Sequence, residues 1–234
     1  MEMIRVFLGY DRQEPVAFHI AAHSIHARAS EPVSITPLML SQLKRVFDRP
    51  RDPKQSTDFS FSRFLTPYLC NFEGWSLFMD GDVLVVDDIA KLWKLRDEKY
   101  AVMVVKHDHA PKEKTKFLNH EQTRYEKKNW SSVMLFNNAK CGALTPEYVQ
   151  TASGLDLHRF VWLGNDDLIG ELPQRWNWLV DYNPTVDIGG VSVLHYTSGG
   201  PYFEAYRKCS YSQEWFKELE EALHPLPPAG QGKN

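Results

Sequence analysis

Trp75-Ser76-Leu77-Phe78-Met79-Asp80-Gly81-Asp82-Val83-Leu84-Val85-Val86 is the stretch whose reading decides the fold. Its first five residues are a short apolar run, the pattern of a strand covered on both faces. Val83 to Val86 reads as a further strand. Between them, two carboxylates stand at i and i+2 around a glycine. Gly81 lets the backbone turn sharply, so both carboxylates can converge on one hard cation that keeps positions open for diphosphate oxygens. The same residues also fit a β-turn, because Asp-Gly is a favoured hairpin dipeptide and Val83–Val86 would be its return strand. Both readings stand on these residues alone.

Outward from this stretch, strands and helices alternate. Ile4 to Gly9 reads as a buried strand followed by a loop at Tyr10-Asp11-Arg12, and Pro15 suits the first turn of a helix running to about Ala29. Val33 to Thr36 alternates like a second strand, and residues 48–56 form a loop. Thr57 or Asp58 is placed to cap a helix through Ser60–Phe64, disturbed near Pro67. Ala101–Val105 and Ser132–Phe136 are further strands, and Gln213–His224 a surface helix with Trp215, Phe216, Leu219 and Leu223 inward. Apolar strands alternating with helices predict an α/β fold with a mostly parallel central sheet and helices on both faces. Ligands on such sheets bind outside the carboxyl ends of the strands.

With 234 residues, 43% hydrophobic and 24% charged, the chain can bury a sizeable core without disulfides or metals. One domain is expected over 1–224, with an unstructured Pro- and Gly-rich tail at 225–234. A net charge of −3 argues against a general nucleic-acid binder. Three widely spaced cysteines, an apolar run that starts at Ile4 with no room for a leader, and no stretch of spanning length point to the cytoplasm.

Two further segments carry candidate chemistry. Leu194 to Tyr202 combines His195, a possible metal ligand, with Gly199 and Gly200, whose backbone N–H groups can approach phosphate; a structural His before a Gly-Gly-Pro turn fits equally. Arg63 is either a phosphate or sugar contact or a surface salt bridge.

The ordered set of segments resembles GT-A-type glycosyltransferases, most closely the retaining transferases of glycosyltransferase family 8. Its elements are Val6 to Asp11, Ser62-Arg63-Phe64, Phe78 to Asp82, Trp130 to Asn137, Asn165-Asp166-Asp167, Leu172-Pro173 with Trp176-Asn177, and His195 with its glycines. The resemblance implies a nucleotide-diphospho-sugar transferase (GT-A) fold and transfer of a hexose from a nucleoside-diphosphate sugar, a UDP-sugar first, to a hydroxyl acceptor such as a glycan or glycolipid. It implies manganese or magnesium on Asp80, Asp82 and His195. It puts the base and ribose at Leu8, Gly9, Tyr10 and Asp11, and Arg63 on the sugar or diphosphate. Ser131, Ser132 and Asn165 would line the donor-sugar pocket, with Gly199 and Gly200 at the phosphates. Asp166 and Asp167 would face the oxocarbenium-like species.

The chain departs from the family pattern at three places. No lysine lies between Gly200 and Pro201-Tyr202, so Arg63 or Lys106 would stand in for it. Trp130 aligns with the family's sugar-contacting asparagine. Asp166 replaces the amide expected beside the anomeric carbon. A nucleotidyltransferase of related fold is disfavoured because no Gly-rich loop with Arg and Lys follows Gly9; a non-catalytic nucleotide- or carbohydrate-binding module is the other alternative.

Other signals read as structural. His19, His23 and His26 share one helix face and are expected to serve packing rather than zinc. Lys112–Lys116 and Lys127-Lys128 read as solvated faces, Trp162, Trp176 and Trp178 as core, and His107-Asp108-His109 as a polar loop at the ligand-binding edge.

Overall fold

The computed structural model describes residues 2–52, 55–108, 118 and 125–224. The tail at 225–234, Lys112–Lys116 and His109 lie outside the described residues. In chain order the elements are β1 (Ile4–Gly9), α1 (Pro15–Arg28), β2 (Val33–Leu38), α2 (Leu40–Leu43), α3 (Thr66–Leu69), β3 (Trp75–Met79), β4 (Val83–Val85), α4 (Ile89–Trp93), β5 (Val102–Val104), β6 (Val133–Asn137), α5 (Pro146–Thr151), α6 (Gly154–His158), β7 (Ile169–Glu171), β8 (Trp178–Leu179), β9 (Val193–His195) and α7 (Ser212–Leu223).

The central sheet has the order β2-β1-β3-β6-β5-β7. It is parallel at β2-β1-β3 and at β5-β7, while β6 runs antiparallel to both its neighbours. Period-two alternation divides each strand between two cores. Phe7, Phe78, Val104 and Phe136 face a cluster built with Phe59, Phe64 and Leu157. Val6, Leu8, Leu77, Met79 and Leu135 face one built with Ala21, Ile25, Ile89 and Trp93. Helical segments therefore cover both faces, α3, α5 and α6 on one side and α1 and α4 on the other.

The strand after Asp80-Gly81-Asp82 does not return along β3. β4 leaves the central sheet and pairs antiparallel with β9, in a second sheet of order β4-β9-β8. This excludes the hairpin. Gly81 is needed for packing: a Cβ there would lie 2.4 Å from the Gly9 carbonyl oxygen, and one on Gly9 would strike the Phe59 ring at 2.6 Å. The turn is thereby pressed onto the carboxyl end of β1.

Two local expectations are corrected. The helix expected through Ser60–Phe64 is a series of turns and a 3-10 segment, Ser62–Leu65, that leads into α3, where Pro67 occupies the tolerated first turn. Neither Thr57 nor Asp58 caps it; the Asp58 carboxylate is taken by Arg51 at 2.5 Å and Arg12 at 3.2 Å. On α7, Leu223 is 68% exposed whereas Glu218 is buried. Glu218 can turn inward because His23 Nδ1 and Arg28 Nη2 each approach its carboxylate at 2.6 Å, tying α7 to α1. His23 thus serves packing, as expected. Trp162 and Trp176 are buried in the core, and Trp178 packs half-buried against a third cluster with Leu84 and Leu194.

Candidate active site

β3 delivers Asp80 at its carboxyl end, and the turn carries Asp82 to the start of β4. The register Val83↔His195 between β4 and β9 then sets His195 beside Asp82. His195 Nε2 lies 3.4 Å from Asp82 Oδ1 and 3.9 Å from Asp80 Oδ2. One ligand atom from each of the three residues falls within 4.8 Å of the others. Asp82 and His195 are buried and Asp80 nearly so.

The imidazole is oriented from behind. Its Nδ1 is 2.9 Å from Asn177 Oδ1, while Asn177 Nδ2 donates to Ser132 Oγ at 2.9 Å and to the Asn129 carbonyl at 3.1 Å. Because the amide nitrogen is committed to those acceptors, Asn177 offers His195 an oxygen. Nδ1 therefore carries the proton and Nε2 presents its lone pair toward the carboxylates, the tautomer a metal ligand needs. Asn177 was part of a motif in the sequence without a role; its bond to His195 spans 18 residues and two strands.

Arg63 is not a surface residue. It is buried, with Nη1 2.7 Å from Asp80 Oδ1 and 2.9 Å from the Ser131 carbonyl. Its guanidinium carbon lies 5.2 and 5.1 Å from the centroids of the Phe59 and Phe78 rings. It fixes the Asp80 carboxylate from the protein side.

These residues open onto a cleft of about 290 Å³, also lined by Ser131, Ser132, Asn129 and Lys128. Ser131 Oγ is 2.7 Å from His158 Nδ1, another lining residue. Tyr125 lines the cleft as well, and desolvation pushes its phenol up to about 12, so it stays protonated. Lys128, which the sequence suggested was solvated, is at the cleft. Lys106 instead lines a neighbouring polar cavity of about 260 Å³ with His107, Asp108, Glu171, Gln174 and Asn183. The indole of Trp130, whose chain neighbours Asn129 and Ser131 line the cleft, donates at 2.9 Å to the carbonyl of His107, which lines this second cavity.

The remaining sequence candidates sit apart from the cleft lining. Leu8 is buried in the core. Asp11 accepts from the Gln13 and Asp58 amides at 2.8 and 2.9 Å, and burial raises its carboxyl against those bonds. Tyr10 lines a third cavity of about 500 Å³ with Arg12, Lys44, Phe47 and Arg49. The Gly199 amide closes a turn onto the Tyr196 carbonyl, and Gly200 packs against the Tyr202 ring. Asn165, Asp166 and Asp167 are exposed. Asn165 Oδ1 accepts from the Asp167 amide at 2.9 Å, and Asp166 pairs with Lys127 Nζ at 2.6 Å.

Residues 19–144 match the model of glycosyl transferase family 8. The chain is 45% identical over 224 residues to "Protein CDI" of Arabidopsis thaliana, covering 93% of this chain and 86% of that protein. Among solved structures it is similar to the apo form of the glycosyltransferase GlyE of Streptococcus pneumoniae TIGR4, with a TM-score of 0.63, 15% identity and 96% of this chain covered. It spans 61% of the GlyE chain. It is also similar to the galactosyltransferase LgtC in complex with donor and acceptor sugar analogs, with a TM-score of 0.61, 15% identity, and coverage of 96% of this chain and 98% of that one. Among the described residues, no helix is long and apolar enough to cross a membrane. The fold of the sugar transferases and a family model spanning over half of the sequence meet on the same chain: it is a glycosyltransferase, and it belongs to glycosyltransferase family 8.

Proposed function

We propose that this chain transfers a hexose from a nucleoside-diphosphate sugar, with UDP-sugars the first to test, to a hydroxyl of a glycan or glycolipid, with retention of anomeric configuration. The observation that carries the reading is the Asp80–Asp82–His195 cluster, with the second imidazole nitrogen committed to Asn177. Two carboxylates and one imidazole Nε2 form a donor set that fits manganese or magnesium, and the three residues would hold the ion. Such an ion, when bound, supplies charge that stabilises the departing diphosphate.

The chain's own residues do the rest. Arg63 holds Asp80 in register, and Lys128 brings positive charge to the cleft wall, the role left open by the absent lysine beyond Gly200. Ser131 and Ser132 suit sugar hydroxyls. The cavity at Tyr10, with Arg12 and Lys44 near its aromatic rings, suits the nucleoside. The polar cavity at His107, Asp108 and Glu171 suits the acceptor. Asp166 and Asp167 are the carboxylates proposed to face the oxocarbenium-like sugar, which requires Asp166 to exchange its contact with Lys127 for one with the donor. Free thiols at Cys70, Cys141 and Cys209 support a reducing, cytoplasmic setting.

The test is slow donor hydrolysis. A nucleotide-sugar panel incubated with the protein and manganese should release free nucleoside diphosphate from one donor, and chelator should abolish the release. Binding without release would indicate a non-catalytic module. Release of nucleoside monophosphate and sugar phosphate would indicate cleavage at the pyrophosphate instead. Release indifferent to chelator would remove the metal.

A further inference from the structure

We infer that Asn129 is a ligand-reading residue of this cleft, whose side-chain amide donates a hydrogen bond to an oxygen of the bound nucleotide-sugar; the inference rests on the proposed donor.

Asn129 sits in left-handed backbone, with φ 65°, at the entry to β6. Asparagine tolerates this region better than most residues. The surrounding scaffold fixes it there. Its backbone carbonyl accepts from Ser132 Oγ at 2.6 Å, from Asn177 Nδ2 at 3.1 Å and from the Ser132 amide at 3.4 Å. Its side-chain Oδ1 faces Thr197 Oγ1 at 3.5 Å. Asn177, which helps hold it, is also the residue that orients His195. The position of Asn129 and the position of the imidazole are thus set by one amide.

Asn129 Nδ2 is buried and, among the described residues, has no hydrogen-bond partner. The residue is 9% exposed and lines the same cleft as Asp80, Asp82 and His195. Folded proteins pair nearly all buried donors, because leaving one unmade forfeits its hydration. The two serine hydroxyls that follow it in the chain are already engaged, Ser132 Oγ with the Asn129 carbonyl and Ser131 Oγ with His158. The Asn129 amide is a donor that this wall of the cleft leaves for a ligand. An N–H donor calls for an oxygen acceptor, either a sugar hydroxyl or a phosphate oxygen. A buried donor of this kind discriminates strongly, because an analogue without the matching oxygen leaves it unpaired.

The experiment uses Asn129→Gly, which keeps the left-handed backbone accessible and removes only the amide, with Asn129→Ala as a second variant. Each is titrated calorimetrically, in manganese, with the panel nucleotide-sugar that binds the unaltered protein most tightly and with its nucleoside diphosphate. Both variants are expected to bind the nucleotide-sugar about tenfold more weakly, the size of one lost hydrogen bond to a buried partner. Unchanged affinity for the diphosphate assigns the contact to a sugar hydroxyl, and an equal loss assigns it to a phosphate oxygen. A folded Asn129→Gly protein with wild-type affinity for both overturns the inference. If the unaltered protein binds no nucleotide-sugar in manganese, the donor reading itself falls, and the role of Asn129 falls with it.

Discussion

Asn177 Oδ1 lies 2.9 Å from Nδ1 of His195, and this contact decides which imidazole nitrogen faces the two aspartates. Replacing Asn177 by Leu removes the acceptor and is expected to lower manganese affinity by about 10–100-fold, the usual cost of losing such a support. Asn177→Asp keeps an acceptor for Nδ1 and should retain affinity within a few fold. Titration followed by electron paramagnetic resonance of free manganese reads both. Equal losses in the two variants would make Asn177 a packing residue only.

Arg63→Lys tests whether the guanidinium is scaffold or contact. The buried arginine makes both bonds, to Asp80 Oδ1 and to the Ser131 carbonyl, from Nη1; a lysine offers one such nitrogen but loses the planar guanidinium packed beside the Phe59 and Phe78 rings. As a ligand contact or a surface salt bridge, the two readings the sequence allowed, Arg63 would add little to the stability of the free protein. The burial changes that expectation to a loss of about 1–3 kcal/mol, accompanied by weaker metal and donor binding. Chemical denaturation and donor titration on the same protein measure the two effects. A stability loss without any binding loss would confine Arg63 to the fold.

Asp166→Asn probes the exposed carboxylate beside Lys127. If Asp166 meets the donor sugar during turnover, kcat should fall by roughly 10²-fold with little change in donor KM, since only an interaction that strengthens in the transition state acts on kcat. The melting temperature should not move, because exposed ion pairs add little. Turnover equal to wild type would remove Asp166 from the reaction.

Glu218→Ala should lower stability by about 1–3 kcal/mol and leave turnover intact, because it strips His23 and Arg28 of their shared buried carboxylate, and none of the three lines the cleft. Thermal denaturation beside a transfer assay separates the outcomes. A proportionate loss of kcat would mean that α7 influences the active site.

The strands β1 to β6 were legible as short apolar or alternating runs, and Ile4–Gly9 and Trp75–Met79 fall where the sequence put them; β7, β8 and β9, of two or three residues each, are too short to carry such a pattern. The departure of β4 into a second sheet was not legible. Asp80-Gly81-Asp82 followed by four apolar residues has the local chemistry of a hairpin, and what forbids it is the approach of Gly81 to the Gly9 carbonyl, a contact between distant segments. The Asp80–Asp82–His195 set was reached only through the ordered resemblance, since the two aspartates alone also fit a turn. Asn177, Asn129 and Lys128 escaped assignment for a related reason. Asn177 and Asn129 find their partners on other elements, and a polar side chain before a strand, Lys128 included, looks the same in sequence whether it faces solvent or a cleft. Glu218 shows the converse, a charged residue on a helix whose burial depends on two cations from α1.

If Asp80, Asp82 and His195 hold a divalent ion which the donor needs for binding, a donor's thermal shift must depend on that ion. At a hundred times its Kd, the right nucleotide-sugar stabilises the folded protein by about 2.7 kcal/mol, or roughly 5–10 °C for a chain of this size. That shift is expected for the wild-type protein in manganese, and it should disappear both in excess chelator and in a folded Asp82→Asn variant. A donor that raises the melting temperature equally in manganese, in chelator and in Asp82→Asn would contradict it.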